Sequence, residues 1–462
     1  SSMTSWHPNT GRSRTSSIGS GVSSWNPTSW APTASYMMAR GSVGEREDYI
    51  GSWSAVSHKF MTKSWEAREL PDALPVPSWI YPVSFFLGVA LTMPWFTING
   101  AVKAFVIILG KDCYMRAQAA YFGPQLLVLM VQTAFDYKLD AALGLRGGVI
   151  CRVTLSFTAI SFAVIWLAVL ETSLPLLLAV SFIIGTFQAI GLGGICQLAA
   201  RFSPLAVISF QVGYGFAPVL VILSDAVTGF HLQEPLSVSN VSFYGIASVV
   251  PLLGLLLTLR VLFSQAAQPF LKPPPAVSLL NQGGGDDQAS QAQIQTVAAI
   301  LGCCWQSVLA SYLNFTMGLF VLCLLPYIKG PAWMTQTIVL VNLSSNLLGR
   351  ALSLSPAILY RFAGTPCRNL QTMMARLVFA LPFILYLLGT FGEMDYVAVV
   401  YVGLIAMTAG FISSSVYSSA CRATPKASQP RATLLVNLAM LSGIYTAIIF
   451  SIMMSSFGWV PS

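Results

Sequence analysis

Charged residues are scarce in this sequence. Only 9% of its 462 residues are Asp, Glu, Lys or Arg, whereas ordinary soluble domains carry about 25%. Hydrophobic residues make up 55% of the chain, so a soluble protein of this composition would have too little polar surface to face water. The composition excludes an ordinary soluble domain and indicates a membrane protein.

The motifs of many enzymes, pumps and metal proteins are also absent. The sequence has no G-x-x-x-x-G-K-[ST], no H-E-x-x-H and no G-x-S-x-G. Its three histidines are scattered and its eight cysteines form no C-x-x-C pair, so we expect no metal and no cofactor. A T-V-G-Y-G filter and a ring of acidic residues are missing too. These absences make an enzyme the least favoured class and a channel less favoured than a carrier.

Long apolar segments are what the sequence has in abundance. A helix of about 20 apolar residues crosses the hydrocarbon core of a bilayer. Eleven such segments lie near 80–108, 117–137, 147–170, 173–200, 203–227, 241–264, 297–328, 332–358, 370–391, 395–420 and 431–458. They predict an all-α polytopic membrane protein with eleven transmembrane helices.

Composition divides the chain into four parts. Residues 1–76 are rich in Ser, Thr, Gly and Pro and predict a disordered tail. Residues 77–264 hold the first six segments, and residues 297–462 hold the last five. Between them, residues 265–296 are rich in Pro, Gly and Gln, which is typical of a flexible linker.

Lysine and arginine are concentrated in alternate loops, and this bias predicts the orientation of the helices. The tail and the linker lie on the basic side and are expected to be cytosolic. With eleven spans, the C-terminus is then extracellular. We expect a multi-pass protein of the plasma membrane.

Neutral polar side chains recur inside the apolar segments. Those that we take as candidates for solute binding are Thr92, Asn99, Gln188, Asn314 and Asn346. Amides and hydroxyls suit a neutral polyhydroxylated or heterocyclic solute, and the ring of Trp95 is suited to stacking on a heterocycle. Each polar residue also has a plainer interpretation, because hydrogen bonds between membrane helices stabilise packing by about 0.6 kcal/mol each.

The eighth segment carries an arginine among apolar residues. Asn342, Asn346 and Arg350 recur every four residues and therefore share one helix face. An intramembrane arginine is costly and usually faces a cavity or a partner. The alternative is that the side chain extends to the cytosolic end of the helix.

Several segments resemble the equilibrative nucleoside transporters. "FFLGVALTMPWFTING" in the first segment is similar to that family's G-x-x-x-x-x-P-W-N, with Pro94 and Trp95 matching and Phe96 in place of the Asn. "NLLGR" in the eighth segment is similar to D-x-x-G-R, with Asn346 in place of the Asp and Arg350 matching.

Three further stretches carry the same resemblance. "LAARFSPLAVISFQVGYGFA" is similar to the family's L-A-G…S-G-Q-G-x-A, "ARLVFALPFIL" to A-R-x-x-F-x-P, and "GFISSSVYSSACRATP" to the end of its tenth span. The matches run in order through residues 80–460. The departures suggest a divergent member, such as a protozoan one.

The resemblance implies a fold and a function. The fold would be similar to that of major-facilitator carriers, with helices in a six-plus-five arrangement. The function would be facilitated transport of nucleosides or nucleobases, purines such as adenosine included, by a monomer that works by alternating access. It implies no cofactor and no nucleic-acid partner. Alternatives are a major-facilitator-type carrier of another small polar solute and a proton-coupled nucleoside symporter.

The resemblance also implies site residues. Trp95 and Arg350 carry over directly, and Asn346 carries over as a changed residue. The family's glutamine of the fourth span falls at Leu192, so Gln188, one helical turn earlier, is expected to replace it. Because Asn346 cannot titrate, we expect passive rather than proton-coupled transport.

Overall fold

The computed structural model describes residues 75–110, 113–230, 236–271, 296–324, 332–387 and 395–456. The predicted tail lies outside these residues except for its last two. So does the predicted linker from residue 272 to residue 295. The described residues are helical apart from short turns, and no strand occurs among them.

The first half of the molecule contains seven helices. They are α1 (Ile80–Gly100), α2 (Val102–Leu109), α3 (Cys113–Val169), α4 (Leu174–Phe202), α5 (Pro204–Thr228), α6 (Val238–Phe263) and α7 (Gln268–Leu271). Ser173 and Ser203 cap the N-termini of α4 and α5 with their hydroxyl oxygens, and a proline follows within the first turn of each helix.

The second half contains six helices in the described residues. They are α8 (Val297–Leu324), α9 (Ala332–Leu352), α10 (Pro356–Ala363), α11 (Pro366–Leu387), α12 (Asp395–Ala423) and α13 (Gln429–Ser456). In the described residues, each of the eleven predicted apolar segments lies mainly on a helix, and the all-α polytopic membrane class is confirmed.

The described residues contain fewer candidate spans than the eleven that the sequence predicts. Eight described helices are long and apolar enough to cross a membrane, or nine if the bent pair Thr337–Leu352 and Pro356–Ala363 counts as one span. The first arm of α3 and the described part of α11 are not among them. Both carry charged side chains, such as Asp136 and Arg376.

The long helix α3 bends at a glycine. Gly144 has φ 69° and ψ 155°, a conformation that glycine adopts readily and other residues do not. The bend divides α3 into arms at 113–143 and 145–169, which correspond to the second and third predicted segments. The first arm continues beyond the predicted end at residue 137.

Two predicted boundaries differ from the structure. The eighth segment was expected to reach residue 358, but α9 ends at Leu352 and the chain turns by 95° into α10. Pro356 begins α10, and a proline disfavours helical conformation in the residue before it.

The predicted linker also begins later than expected. It was expected from residue 265, but residues 265–271 are helical, because the apolar Phe270 and Leu271 are buried.

Close helix pairs form the interior of each half. α1 packs on α5 and α3 on α4, while α9 packs on α12 and α8 on α13. Gly88 and Gly213 let α1 and α5 approach, because a Cβ at either position would collide with a carbonyl oxygen of the other helix. The halves meet where α5 contacts α9 and α12, and where α3 and α4 contact α13.

Candidate functional site

Trp95 of α1 stacks flat on Tyr121 of α3. The ring centroids are 3.6 Å apart and the planes differ by 3°. Phe122 meets the Trp95 ring edge-on at 6.0 Å. Trp95 is 4% exposed, so this aromatic group is an interior feature of the first half.

Gln188 of α4 joins the same group. Its Oε1 accepts a hydrogen bond of 2.7 Å from the Tyr121 hydroxyl, and the side chain is buried. The structure thus brings Trp95 and Gln188 together through Tyr121. Sequence reasoning missed Tyr121, since a single tyrosine in an apolar segment carries no motif or periodicity.

Arg350 of α9 is buried between helices rather than extended toward the end of its own helix. It is 4% exposed. Its Nε donates to Asn346 Oδ1 at 2.9 Å. Its Nη1 donates to the backbone oxygen of Gln211 at 2.9 Å and to Gln211 Oε1 at 3.0 Å. Amide oxygens of α9 and α5 therefore surround the cation, and Asn346 stands where the resembling family has a carboxylate.

An aromatic ring completes the surroundings of Arg350. The guanidinium carbon lies 5.3 Å from the centroid of the Tyr214 ring, within the range of a cation–π contact. Gly215 makes room for the arginine, because a Cβ there would collide with Arg350 Cδ. Gln211 and Tyr214 belong to the first half, so Arg350 connects the two halves.

The two groups are linked by Phe96. This residue follows Trp95 in α1, and its ring meets Tyr214 edge-on at 6.3 Å with the planes at 90°. We call the chain Gln188–Tyr121–Trp95–Phe96–Tyr214–Arg350 the polar–aromatic line. It runs from α4 of the first half to α9 of the second half.

The other two predicted site residues of α1, Thr92 and Asn99, differ in their hydrogen bonding. Thr92 is fully buried, and its hydroxyl donates to Gly88 O at 2.8 Å within the helix. The hydrogen of the Thr92 hydroxyl is thus bonded within α1. Asn99 lies one turn beyond Trp95, and its Oδ1 has no hydrogen-bond partner among the described residues.

Asn314 belongs to a separate cluster in the second half. Its Nδ2 donates to Ser413 Oγ at 3.0 Å and to Ala409 O at 3.3 Å, and its Oδ1 accepts from Arg376 of α11. Asn346 also reaches α12, with Nδ2 3.5 Å from Ala406 O. Asn314 and Asn346 thus contact α12 one turn apart.

A buried ionic network lies beside the bend of α3. Arg152 is 3% exposed and pairs with Asp136 at 2.5 Å and with Asp140 at 2.7 Å. Gln197 of α4 donates to Asp136 Oδ2 at 2.6 Å. Burial raises the pKa of the Asp140 carboxyl above its ordinary value, and the Arg152 cation opposes that rise. No local pattern in the sequence predicts this pairing.

No known family's sequence profile matches this chain, and no curated protein matches it in sequence. Solved structures do match. The proton:xylose symporter XylE aligns with a TM-score of 0.56 and 14% identity over 82% of this chain and 89% of its own.

Two other matches have the same architecture. FucP in its outward conformation aligns with a TM-score of 0.52 and 14% identity over 82% of this chain and 92% of its own. The human organic anion transporter MFSD10 aligns with a TM-score of 0.52 and 13% identity over 84% of this chain and 95% of its own. The fold is that of major facilitator transporters. The prediction of a major-facilitator-like, multi-pass membrane protein is confirmed.

Proposed function

We propose that this protein is a facilitative carrier of nucleosides or nucleobases, purines such as adenosine included, and that it works by alternating access. The observation that carries the proposal is the polar–aromatic line. It combines a flat indole face, a buried amide and a buried guanidinium, and its members come from both halves of the fold.

Alternating access requires a solute site that both halves contact, so that their rocking exposes it to one side and then the other. Arg350 of the second half meets Gln211 and Tyr214 of the first half. We infer that solute entry or release separates these groups. A ribose hydroxyl or a base acceptor would then replace Gln211 as a partner of Arg350.

The aromatic end of the line suits a planar base. Trp95 already holds one ring, that of Tyr121, at stacking distance. Stacking of a base on an aromatic side chain stabilises binding by about 1–3 kcal/mol. In the proposal a purine takes the place of the Tyr121 ring, and Gln188, released from the Tyr121 hydroxyl, bonds the polar edge of the base.

The resemblance of five segments to the equilibrative nucleoside transporters supports this substrate class. Gly215 lies in "VGYGFA", part of a stretch that resembles the family. It leaves space for the Arg350 side chain at the interface between the halves. Asn346 takes the place of the family's aspartate and accepts from Arg350. Because an amide does not titrate, we propose that transport is passive. We also propose that the protein is a plasma-membrane monomer with a cytosolic N-terminus.

A second candidate is proton-coupled transport, either of nucleosides or of another small polar solute. Two of the matching structures are described as proton symporters of sugars, xylose for XylE and fucose for FucP. In this chain the carboxyl of Asp140 has a raised pKa, which makes Asp140 the residue to test. If Asp140→Asn abolished uphill accumulation of a non-metabolised nucleoside, coupling would replace passive transport.

Uptake into cells that lack their own nucleoside carriers tests the proposal. Labelled adenosine, uridine, hypoxanthine and xylose are offered separately, each with and without an excess of the other three. Saturable uptake of a nucleoside or base that xylose does not inhibit is expected. Uptake of xylose alone would reassign the protein to another class of carrier.

A further inference from the structure

Three arginines from three helices meet at Tyr360 of α10. Arg361 follows Tyr360 in the chain. Arg368 of α11 donates from Nη1 to Tyr360 O at 2.8 Å. The guanidinium carbon of Arg422, in the last turn of α12, lies 4.4 Å from the centroid of the Tyr360 ring. Arg361 and Arg368 are exposed, and Arg422 is half-buried. We call Tyr360, Arg361, Phe362, Arg368 and Arg422 the α10 patch.

The short helix α10 lies across the direction of α9. α9 has 21 residues, which is about 30 Å at 1.5 Å per residue, so α9 is long enough to cross the hydrocarbon core by itself. The chain then turns by 95° into α10. With α9 crossing the bilayer, α10 is directed along the bilayer surface, as interfacial helices are.

The two faces of α10 differ in exposure. Leu359 and Ala363 lie four residues apart on one face and are buried. Thr372 of α11 donates to Phe362 O at 2.8 Å, which also holds α10 on the second half. Tyr360 and Phe362, in contrast, are 53% and 51% exposed. Aromatic rings with this exposure at a helix end suit the level of the lipid headgroups.

No carboxylate pairs with the three arginines of the α10 patch within the residues that the structure describes. Asp136 and Asp140 are held by Arg152. The remaining described carboxylates are Glu171, Asp225 and Asp395. They lie before α4, in the last turn of α5 and at the start of α12.

These last three carboxylates are on the other side of the membrane from the α10 patch. α12 ends with Arg422 at the patch, so its first residue lies a full helix length away. The turn between α4 and α5 is near the end of α12, because Phe202 packs on Phe270 at 5.2 Å and Lys426 lies 5.9 Å from the same ring. The other two carboxylates are at the opposite ends of α4 and α5. The patch therefore has a positive charge that the described part of the chain does not neutralise.

An anionic phospholipid headgroup fits the charge and the rings of the α10 patch. A guanidinium binds phosphate oxygens through paired N–H donors, and aromatic rings beside it enter the boundary between headgroups and acyl chains. The sequence predicts that this side of the membrane is cytosolic, and the cytosolic leaflet carries anionic lipids. The acidic pair Asp286–Asp287 of the predicted linker would supply charge, but its Gly and Gln neighbours offer no apolar surface to Tyr360 and Phe362.

We propose that the α10 patch binds the headgroup of an anionic phospholipid, such as phosphatidylserine. Arg361 and Arg368 contact the headgroup, and Arg422 adds its charge from the other side of Tyr360. The rings of Tyr360 and Phe362 lie among the neighbouring lipids. The site is independent of the solute that the carrier moves.

Native mass spectrometry of the purified protein tests the site. The detergent solution contains equal amounts of phosphatidylserine and phosphatidylcholine with the same acyl chains, and the ratio of the two lipids bound per carrier is measured. The wild type is expected to prefer phosphatidylserine. Arg361→Gln should lower the ratio about fivefold, because one basic residue near an anionic surface contributes about 1 kcal/mol. Arg361→Lys keeps the charge and should keep most of the preference.

Arg260→Gln is the matched control. Arg260 is also an exposed arginine in the last turn of a helix, α6, but it lies outside the α10 patch, so its loss should leave the ratio unchanged. Equal binding of the two lipids by the wild type would overturn the proposed site, as would an equal loss of preference in Arg361→Gln and Arg260→Gln. A preference that arises only after Asp286→Asn and Asp287→Asn would also overturn it, and would assign the patch to the linker.

Discussion

Arg350 of α9 donates from one nitrogen to both oxygens of Gln211 in α5, at 2.9 Å to the backbone carbonyl and 3.0 Å to the side-chain amide. The two residues belong to opposite halves of the fold. Under the proposed alternating access, this contact would break and reform in every cycle and would control the balance between the two access states.

Gln211→Leu should shift that balance. The substitution keeps the approximate volume but removes the amide acceptor of Arg350. The backbone oxygen of residue 211 still accepts from Nη1, but one N–H of that nitrogen loses its acceptor. A buried N–H without an acceptor costs about 1–3 kcal/mol, which would reduce the population of the closed interface by about 5- to 150-fold. Nucleoside uptake and the labelling rate of a cysteine introduced at this interface report the change. Unchanged uptake and labelling would show that the contact does not limit the cycle.

Gly215→Ala should displace Arg350. A Cβ at this position would collide with Arg350 Cδ, and overpacking of a well-packed interior typically costs about 1–3 kcal/mol. Gly245→Ala in α6 is the matched control, since nothing lies within 4 Å of its added Cβ. We expect reduced uptake per carrier in the membrane for the first variant only. Equal uptake by the two variants would contradict the role given to Gly215.

Tyr121→Phe should separate stacking from hydrogen bonding. The ring that stacks on Trp95 remains, while the hydroxyl that donates to Gln188 is lost. If Gln188 exchanges this bond for a bond to the base, its release becomes easier and KM for the solute should fall. The expected change is up to about tenfold, because a net hydrogen bond stabilises by about 0.5–1.5 kcal/mol. An increase in KM would mean that the Tyr121 hydroxyl itself contacts the solute.

We expect the ionic network of Arg152, Asp136 and Asp140 in α3 to stabilise the folded protein. Arg152→Ala would leave the buried Asp136 and the half-buried Asp140 without their cation, and breaking a buried pair costs about 3–5 kcal/mol. A lower Tm of the purified carrier in detergent is expected. The triple variant that adds Asp136→Asn and Asp140→Asn removes the uncompensated charge and should recover part of the loss. A triple variant less stable than Arg152→Ala would contradict this explanation.

The apolar segments made the architecture predictable. Each helix has to satisfy its own backbone hydrogen bonds in lipid, so a long apolar run predicts a helix without knowledge of its neighbours. Boundaries were less predictable. The helical residues 265–271 are held by the burial of Phe270 beside Phe202, a tertiary contact that a Pro-rich composition does not reveal.

The candidate site was predictable only in part. Trp95 and Arg350 stood out by motif and by charge, but their partners did not. Gln211 is 139 residues from Arg350, and Tyr121 is 67 residues from Gln188, so no local pattern connects them.

The most direct test of the central claim is trans-stimulation in proteoliposomes that contain the purified carrier. Efflux of labelled inosine is measured into buffer with no solute, with unlabelled inosine, or with unlabelled xylose. We predict that external inosine accelerates efflux in the absence of any proton gradient and that xylose does not. Inosine efflux that is insensitive to external nucleoside, or that requires a proton gradient, would contradict a facilitative nucleoside carrier.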